Sequence, residues 1–332
     1  MTATAPTLDG FEAYLDVALR KRLDDSRVAR MIGDHFGLDD PTARRGKRLR
    51  PRILLAVANA EGAPQDVAYG AAAAVEMLHN FSLIHDDIED RDELRHGRPT
   101  LWATFGVASA IEAGNALCSL TYLTLLDAAA DQPPLALAME RALLRAHHQM
   151  CAGQSHDIEF ETTDSVSFER YAAMIEGKTA ALFSVSCELG ALAAGCSEER
   201  AAAYGRIGRA YGLAFQIRDD ILGIWGLSDE TGKPSGADLR RRKWSFPVTW
   251  ALDGPPSEDR DLLARVYAAK CEIGQADVHP LVDALERLGA RQAADETSSR
   301  YVDEAAAIVA EHGLDPGGAV TAIFRATLRR LS

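Results

Sequence analysis

The stretch Val75-Glu76-Met77-Leu78-His79-Asn80-Phe81-Ser82-Leu83-Ile84-His85-Asp86-Asp87-Ile88-Glu89-Asp90 decides how this chain is read. Met77, Leu78, Phe81, Leu83 and Ile84 form an apolar run that reads as a helix entering a core. Its end is the opposite in character: six of the eight side chains from Asp86 to Glu93 are acidic. If the segment is helical, Asp86 and Asp90 stand one turn apart on one face with Asp87 beside them, and like charges at that spacing destabilise a helix. Water and salt could relieve a solvated face, but carboxylates at the end of a buried helix need partners, which points to bound cations.

The pattern returns in Ala214-Phe215-Gln216-Ile217-Arg218-Asp219-Asp220-Ile221-Leu222-Gly223, again an apolar run carrying two adjacent aspartates. Gln216 lies one turn before Asp219 and shares its face. The potential ligands are oxygens, with no Cys or His at zinc-like spacing, and hard divalent ions prefer oxygen donors. A calcium loop of the EF-hand type needs alternating acids, a central Gly and a distal Glu, an order that Asp86 to Glu93 lacks. Magnesium takes one or two carboxylates and completes its shell with water and substrate phosphate, so the reading is magnesium with a phosphorylated ligand.

A phosphate needs cationic partners, and this acidic chain, of formal net charge −13, places several at informative points. The first group is Arg44-Arg45-Gly46-Lys47-Arg48-Leu49-Arg50-Pro51. Others are Arg95 and Arg98 after the acidic run, Lys178 in Glu176-Gly177-Lys178-Thr179, Lys233 in Thr231-Gly232-Lys233-Pro234, and Lys243. A pI near 5.2 and the lack of a recognition motif argue against nucleic acid as the partner.

Together these residues resemble the trans-isoprenyl diphosphate synthases, or polyprenyl synthetases, over roughly Arg44 to Pro247. The family's first aspartate-rich motif is matched by Asp86-Asp87-Ile88-Glu89-Asp90, and its Gly-Lys-x-x-Arg-Pro motif by Gly46-Lys47-Arg48-Leu49-Arg50-Pro51. The basic doublet is matched by Arg95-His96, the Lys-Thr pair by Lys178-Thr179, and the second aspartate-rich helix by Phe215 to Asp220. Gly153-Gln154-Ser155-His156-Asp157 is similar to the Gly-Gln-x-x-Asp segment, and Lys233, Asp238 and Lys243 follow in the family's order.

The resemblance implies that Asp86, Asp90 and Asp219 hold a cluster of three magnesium ions against the diphosphate of an allylic substrate, with Asp87 and Asp220 in support. It gives Arg95, Lys178 and Lys233 to the same diphosphate, with Lys243 also on the substrate, and Lys47, Arg50 and His79 to isopentenyl diphosphate. Lys178, Thr179 and Gln216 are then the catalytic residues facing a carbocation. The implied chemistry is ionisation, condensation with isopentenyl diphosphate and proton loss, with released diphosphate as the base.

Two positions depart from the family pattern. His96 stands where the second arginine of the doublet is usual, so affinity for isopentenyl diphosphate is expected to fall unless Arg98 or Arg48 compensates. Gly223 stands where the second motif usually ends in aspartate, a residue that acts through water in the family, so ionisation is expected to survive. By the same resemblance, chain length is set by the residues just before the first motif. Phe81 lies five residues before Asp86, about 7–8 Å along the helix axis, and the adjacent Ser82 is small. With no insertion inside the motif, the expected product is geranylgeranyl diphosphate, and farnesyl diphosphate is next.

Length and composition agree with one all-α domain over residues 1–332, with 47% hydrophobic residues and no run of alternating β-branched side chains. Helical spacing recurs through Phe11–Val17, Ile53–Ala60, Ala71–Ile84, Leu135–Met150, Tyr171–Ala194, Tyr204–Trp225, Leu262–Cys271, Leu281–Ala293 and Val302–Ala310. Breaks are expected at Asp131–Pro134, Glu161–Ser167, Leu227–Gly236 and Asp253–Glu258. Lys233-Pro234-Ser235-Gly236 resembles a loop that covers the diphosphate in relatives. The family's fold is an isoprenoid-synthase helical bundle with a central active-site cavity, and it implies a homodimer. The start lacks a basic region and apolar core, and no apolar run reaches eighteen residues, so a cytoplasmic protein without a transmembrane segment is expected. The five cysteines show no paired spacing and read as reduced, small core residues.

Rival readings are a class I terpene synthase of the same fold and a non-catalytic partner subunit of a prenyl synthase. Lys47, Arg50 and His79 count against the first, since a cyclase has no use for a second diphosphate pocket. The intact aspartate pairs and Lys178-Thr179 count against the second.

Overall fold

A computed structural model describes residues 6–40, 46–95, 97–226, 236–269 and 273–329. The expected all-α fold is what these residues form, and the only strands among them are the two-residue pairs Leu94–Arg95 and Arg98–Pro99 of one hairpin. The chain divides into two compact units: the first holds residues 1–147, 185–205 and 315–320, the second 148–184, 206–314 and 321–332.

The first unit begins with α1 (Leu8–Arg22) and α2 (Arg27–Phe36). Thr7 and Ser26 cap their first turns with side-chain oxygens that accept from the Gly10 and Ala29 amides, and α2 stops at Gly37 in the left-handed conformation. α3 (Leu49–Glu61) and α4 (Gln65–Glu89) follow, then the hairpin, α5 (Leu101–Phe105), α6 (Val107–Ala128) and the start of α7 (Pro133–Thr162). α4 packs most extensively on α6. Ala71–Ala74 on α4 are completely buried, and a methyl on Gly70 would overlap Ala128 of α6, so the small residues serve contacts within the chain.

The second unit contains the rest of α7, then α8 (Phe168–Ile175), a π-helical turn at Glu176–Ala180, and the first residues of α9 (Ala181–Ala193). Most of α10 (Glu198–Trp225) and the helices from Ala237 onward complete it. Its core joins Tyr171, Ile175, Ile217, Ile221 and Ile224 to Trp244, Phe246, Tyr267 and Leu281.

Several boundaries differ from those read in the sequence. The single helix expected over Tyr171–Ala194 is interrupted by the π turn, and the one over Leu281–Ala293 is split at Gly289, whose φ of 77° suits glycine. Helix α7 starts at Pro133 within an expected break, because proline is tolerated in a first turn. α2 and α6 are unanticipated. α6 is apolar nearly all round and shows no polar stripe to mark its period. Of the cysteines, Cys187 is a buried core residue, whereas Cys151 is exposed. The expected Leu262–Cys271 helix ends at Ala268, and Cys271 lies outside the described residues, as do Arg44, Arg45, His96 and the stretch 227–235 with Lys233.

Candidate active site

In the first unit, the start of α3 and the middle of α4 bring the predicted basic residues together. Arg50 and His79 meet with Nη1 3.1 Å from Nε2. A guanidinium only donates, so Nε2 accepts and the His79 proton sits on Nδ1. Burial and the neighbouring Arg50, Arg95 and Arg48 charges hold the imidazole well below its usual pKa, keeping it neutral. Burial also lowers Arg50 to about 10, against the pull of Glu76. Nearby His35, hydrogen-bonded to Asn80 at 3.0 Å, is lowered to about 4 by burial and by the Arg95, Arg98 and Arg48 charges. A concentration of positive groups this strong is suited to a multiply charged anion. Lys47 is exposed just before α3.

Arg48 does not join that set. It is buried and bound to Glu12 at 2.7 Å and Glu76 at 2.6 Å, while Arg98 reaches Asp34, so neither is a ready substitute for a cation at position 96. A buried guanidinium between two carboxylates is structural, since removing either partner would leave an uncompensated charge.

The acidic end of α4 sorts its carboxylates by exposure. Asp87 is buried and accepts from Arg95 Nε at 2.6 Å, the hairpin turning the arginine back onto the helix end. Burial pushes the Asp87 carboxyl up and Arg95 opposes that shift. Asp86 is half-buried and Asp90 exposed.

One turn before these carboxylates, Phe81 stands edge-on to two imidazoles, His85 at 4.7 Å and His147 at 5.2 Å between ring centres. Tyr122 holds His147 by a 2.5 Å contact from its hydroxyl to Nδ1. A side chain on Gly114 of α6 would overlap the His85 ring, so glycine there lets α6 approach. Ser82 turns its hydroxyl back to the His79 carbonyl at 2.8 Å.

The second unit assembles Thr179, Gln216 and Lys243 around Asp220. This carboxylate is fully buried and accepts from Tyr171 Oη at 2.5 Å, the Phe246 amide at 2.8 Å and Gln216 Nε2 at 3.0 Å. Gln216 in turn accepts from Thr179 at 2.7 Å, so two of the predicted catalytic residues form one chain of hydrogen bonds. Lys243 Nζ lies 3.5 Å from Asp220 and 3.6 Å from Asp238. Burial works against its charge, but the surrounding carboxylates outweigh burial and hold the ammonium above its ordinary range. Asp219, next to Asp220 in sequence, is exposed.

Lys178 sits in the π turn and is bound by Asp157 of α7 at 2.5 Å. The backbones touch here: a methyl on Gly153 would strike the Lys178 amide, and one on Gly177 the Gln149 carbonyl. These glycines explain the Gly-Gln-x-x-Asp spacing, because Gly153 allows the approach and Asp157 follows one turn later on the same face. Sequence pattern alone did not point to Tyr171, Tyr122, His147 or Gly114, whose partners are distant in sequence.

The donors fit a hard divalent ion. Among the described residues no three acidic, imidazole or thiol groups converge closely enough to hold a metal by themselves. Magnesium does not require that, since water and phosphate oxygens complete its shell. Asp87 and Asp220 are buried and engaged by protein donors, whereas Asp86 is half-buried and Asp90 and Asp219 are exposed.

Comparison with known proteins agrees with this chemistry. A family model described as Polyprenyl synthetase matches residues 38–285. A (2E,6E)-farnesyl diphosphate synthase from Mycobacterium bovis is 38% identical over 320 residues, covering 94% of this chain and 88% of its own. A geranylgeranyl diphosphate synthase from Mycobacterium tuberculosis is also 38% identical, over 285 residues, with 84% of this chain and 81% of its own covered. Among solved structures, a polyprenyl synthetase from Streptomyces coelicolor aligns with a TM-score of 0.87 at 32% identity, covering 96% of each chain.

Proposed function

The chain belongs to the polyprenyl synthetase family of prenyltransferases, and on that premise we propose that it is a cytoplasmic, homodimeric geranylgeranyl diphosphate synthase. It joins isopentenyl diphosphate to an allylic diphosphate. The observation that carries the reading is the Arg50–His79 contact. It supports a second anion pocket, which a cyclase acting on one diphosphate does not need.

Asp86, Asp90 and Asp219 offer oxygens to magnesium, three ions per site. When bound, the metal neutralises charge on the departing diphosphate as a Lewis acid. Arg95, Lys178 and Lys243, each already fixed by a carboxylate, bind the allylic diphosphate and orient it. Lys233 and His96 are assigned to the diphosphates on sequence alone. Gln216 and Thr179 face the allylic cation with oxygen atoms, and Asp220 keeps the Gln216 amide turned so that its carbonyl points away from the carboxylate. Fixed dipoles of this kind stabilise developing charge without reorganising.

Phe81, braced by His85 and His147, supports a product of twenty carbons. Farnesyl diphosphate is the second reading, favoured by the mycobacterial relative of that name. The homodimer is supported by apolar side chains left exposed on α6 and α7, including Val107, Ile111, Leu123, Leu137 and Leu144. Among the described residues no helix is long and apolar enough to cross a membrane.

The test is to incubate purified protein and magnesium with isopentenyl diphosphate and dimethylallyl, geranyl or farnesyl diphosphate, then size the dephosphorylated alcohols by mass. Geranylgeraniol is the expected product. Farnesol alone would shift the assignment to the second reading, and hydrocarbon made without isopentenyl diphosphate would replace it with a cyclase.

A further inference from the structure

Glu140 breaks the apolar side of α7. Its neighbours on the buried side, Met139 and Leu143, have no exposure at all, and Glu140 itself is only 8% exposed. Its Oε1 is shut off from bulk solvent and has no hydrogen-bond partner among the described residues. Burial alone pushes the carboxyl up to about 7. A buried acid that no protein group answers is costly, and three helices of the first unit fix where it stands. α4 and α6 run antiparallel, since Gly70 of α4 faces Ala128 and Gly114 of α6 faces His85. α7 turns back along α6 after residues 129–132, with His147 bonded to Tyr122. α7 therefore runs the same way as α4, and Phe81 and His147 meet at one level. Glu140 precedes His147 by seven residues, two turns on nearly the same face, and so lies about 10 Å further from the Asp86 end of α4. That level of α4 is Ala71–Ala74, completely buried and ending in methyl groups.

We propose that Glu140 is a specificity-determining residue, a second and deeper stop for the growing prenyl tail behind Phe81, acting by polarity and not by bulk. The inference rests on the reading of Phe81 as the first wall. An isoprene unit, four carbon–carbon bonds in zigzag, advances about 5 Å. About two further units therefore fit between the levels of Phe81 and Glu140. A buried carboxyl without a protein partner depends on internal water for its hydrogen bonds, and a hydrocarbon end that displaces water returns none. Growth past Glu140 leaves a polar group unpaired, which disfavours that addition relative to release.

Three full-length variants test it: Phe81→Ala, Phe81→Ala with Glu140→Met, and Phe81→Ala with Glu140→Gln. Met and Gln both match glutamate in length and differ from each other in polarity. Products are sized by mass as the dephosphorylated alcohols. Phe81→Ala alone is expected to lengthen the product by no more than about two units. Adding Glu140→Met is expected to raise the share of longer alcohols about tenfold, because the unpaired polar group is gone. Adding Glu140→Gln is expected to keep the limit of Phe81→Ala.

A Met variant with the product distribution of Phe81→Ala would overturn the proposal, as would a Gln variant that lengthens the product equally. Should Glu140→Met not fold, Glu140→Leu takes its place. If Phe81→Ala gives the parental product, the first-wall reading fails. Glu140→Met alone must then lengthen the product, and the parental alcohol from that variant refutes the deeper stop as well. Farnesol from the parent moves the product assignment, and the same comparison among variants still decides the role of Glu140.

Discussion

Arg50 and His79, 29 positions apart in sequence, meet through a single 3.1 Å contact in which the guanidinium donates to a neutral imidazole. The pair explains how several cationic groups can be buried together. One member stays uncharged and serves as an acceptor, so the local repulsion is that of the arginines alone.

Neutral buried histidines make stability depend on pH with a definite sign. His35 and His79 have pKa values below the unfolded value of about 6.5, so below that pH the unfolded chain binds more protons. Their contribution is constant above pH 6.5 and is lost as pH falls toward 4. For His35 the full effect is roughly 3 kcal/mol. Urea midpoints of the parent and of His35→Asn should therefore converge between pH 7 and pH 4.5, and a constant gap would contradict the buried neutral state.

The carboxylates of the first motif should separate by role. Asp90→Asn, at an exposed position, is expected to lower kcat by about 10²–10³ with little change in melting temperature. Asp87→Asn should lower both, because Arg95 loses a charged partner that is buried. Paired kinetics and thermal melts decide the point, and equal melting temperatures for the two variants would count against it.

Product length should respond to the wall around Phe81. Phe81→Ala is expected to extend the product by at least one isoprene unit while retaining activity. Tyr122→Phe removes the hydroxyl that fixes His147, and a mixed product distribution is expected, because His147 and the ring packed on it gain freedom. Mass analysis of the alcohols checks both, and an unchanged distribution in Phe81→Ala would remove that residue from the wall.

Gly153→Ala is the test of the close approach at the π turn. The added methyl meets the Lys178 backbone, which no rotamer can relieve. A loss of about 1–3 kcal/mol is expected from overpacking, together with a higher KM for the allylic diphosphate as Lys178 shifts. Chemical denaturation and steady-state kinetics measure the two effects, and parental values for both would mean that the backbones have room to part.

Much of this was legible before any coordinates. α3 opens on basic residues, α4 closes on acidic ones and α10 carries an acidic pair within an apolar run, and these abrupt changes of character mark both helix and site. Harder to read was anything set by a third dimension. The π turn has no sequence period of its own, because Glu176 to Ala180 differ from an ordinary turn only in how the backbone is wound. Tyr171 and Asp220 share a hydrogen bond across 49 positions, and a tyrosine in an apolar stretch gives no sign of it. Gly223 reads as a missing carboxylate, and nothing in the sequence shows that the Asp238 carboxylate lies beside it.

The contact of Gly153 with the π turn has a consequence for entropy. A free lysine side chain has some 2 kcal/mol of rotamer freedom to lose when it grips an anion. Lys178 leaves a main chain seated directly on another main chain, and its far end is already held by Asp157 at 2.5 Å. Its ordering is therefore completed when the protein folds, and under the proposed function a diphosphate bound at Lys178 would exchange one oxygen partner for another with little further loss of disorder.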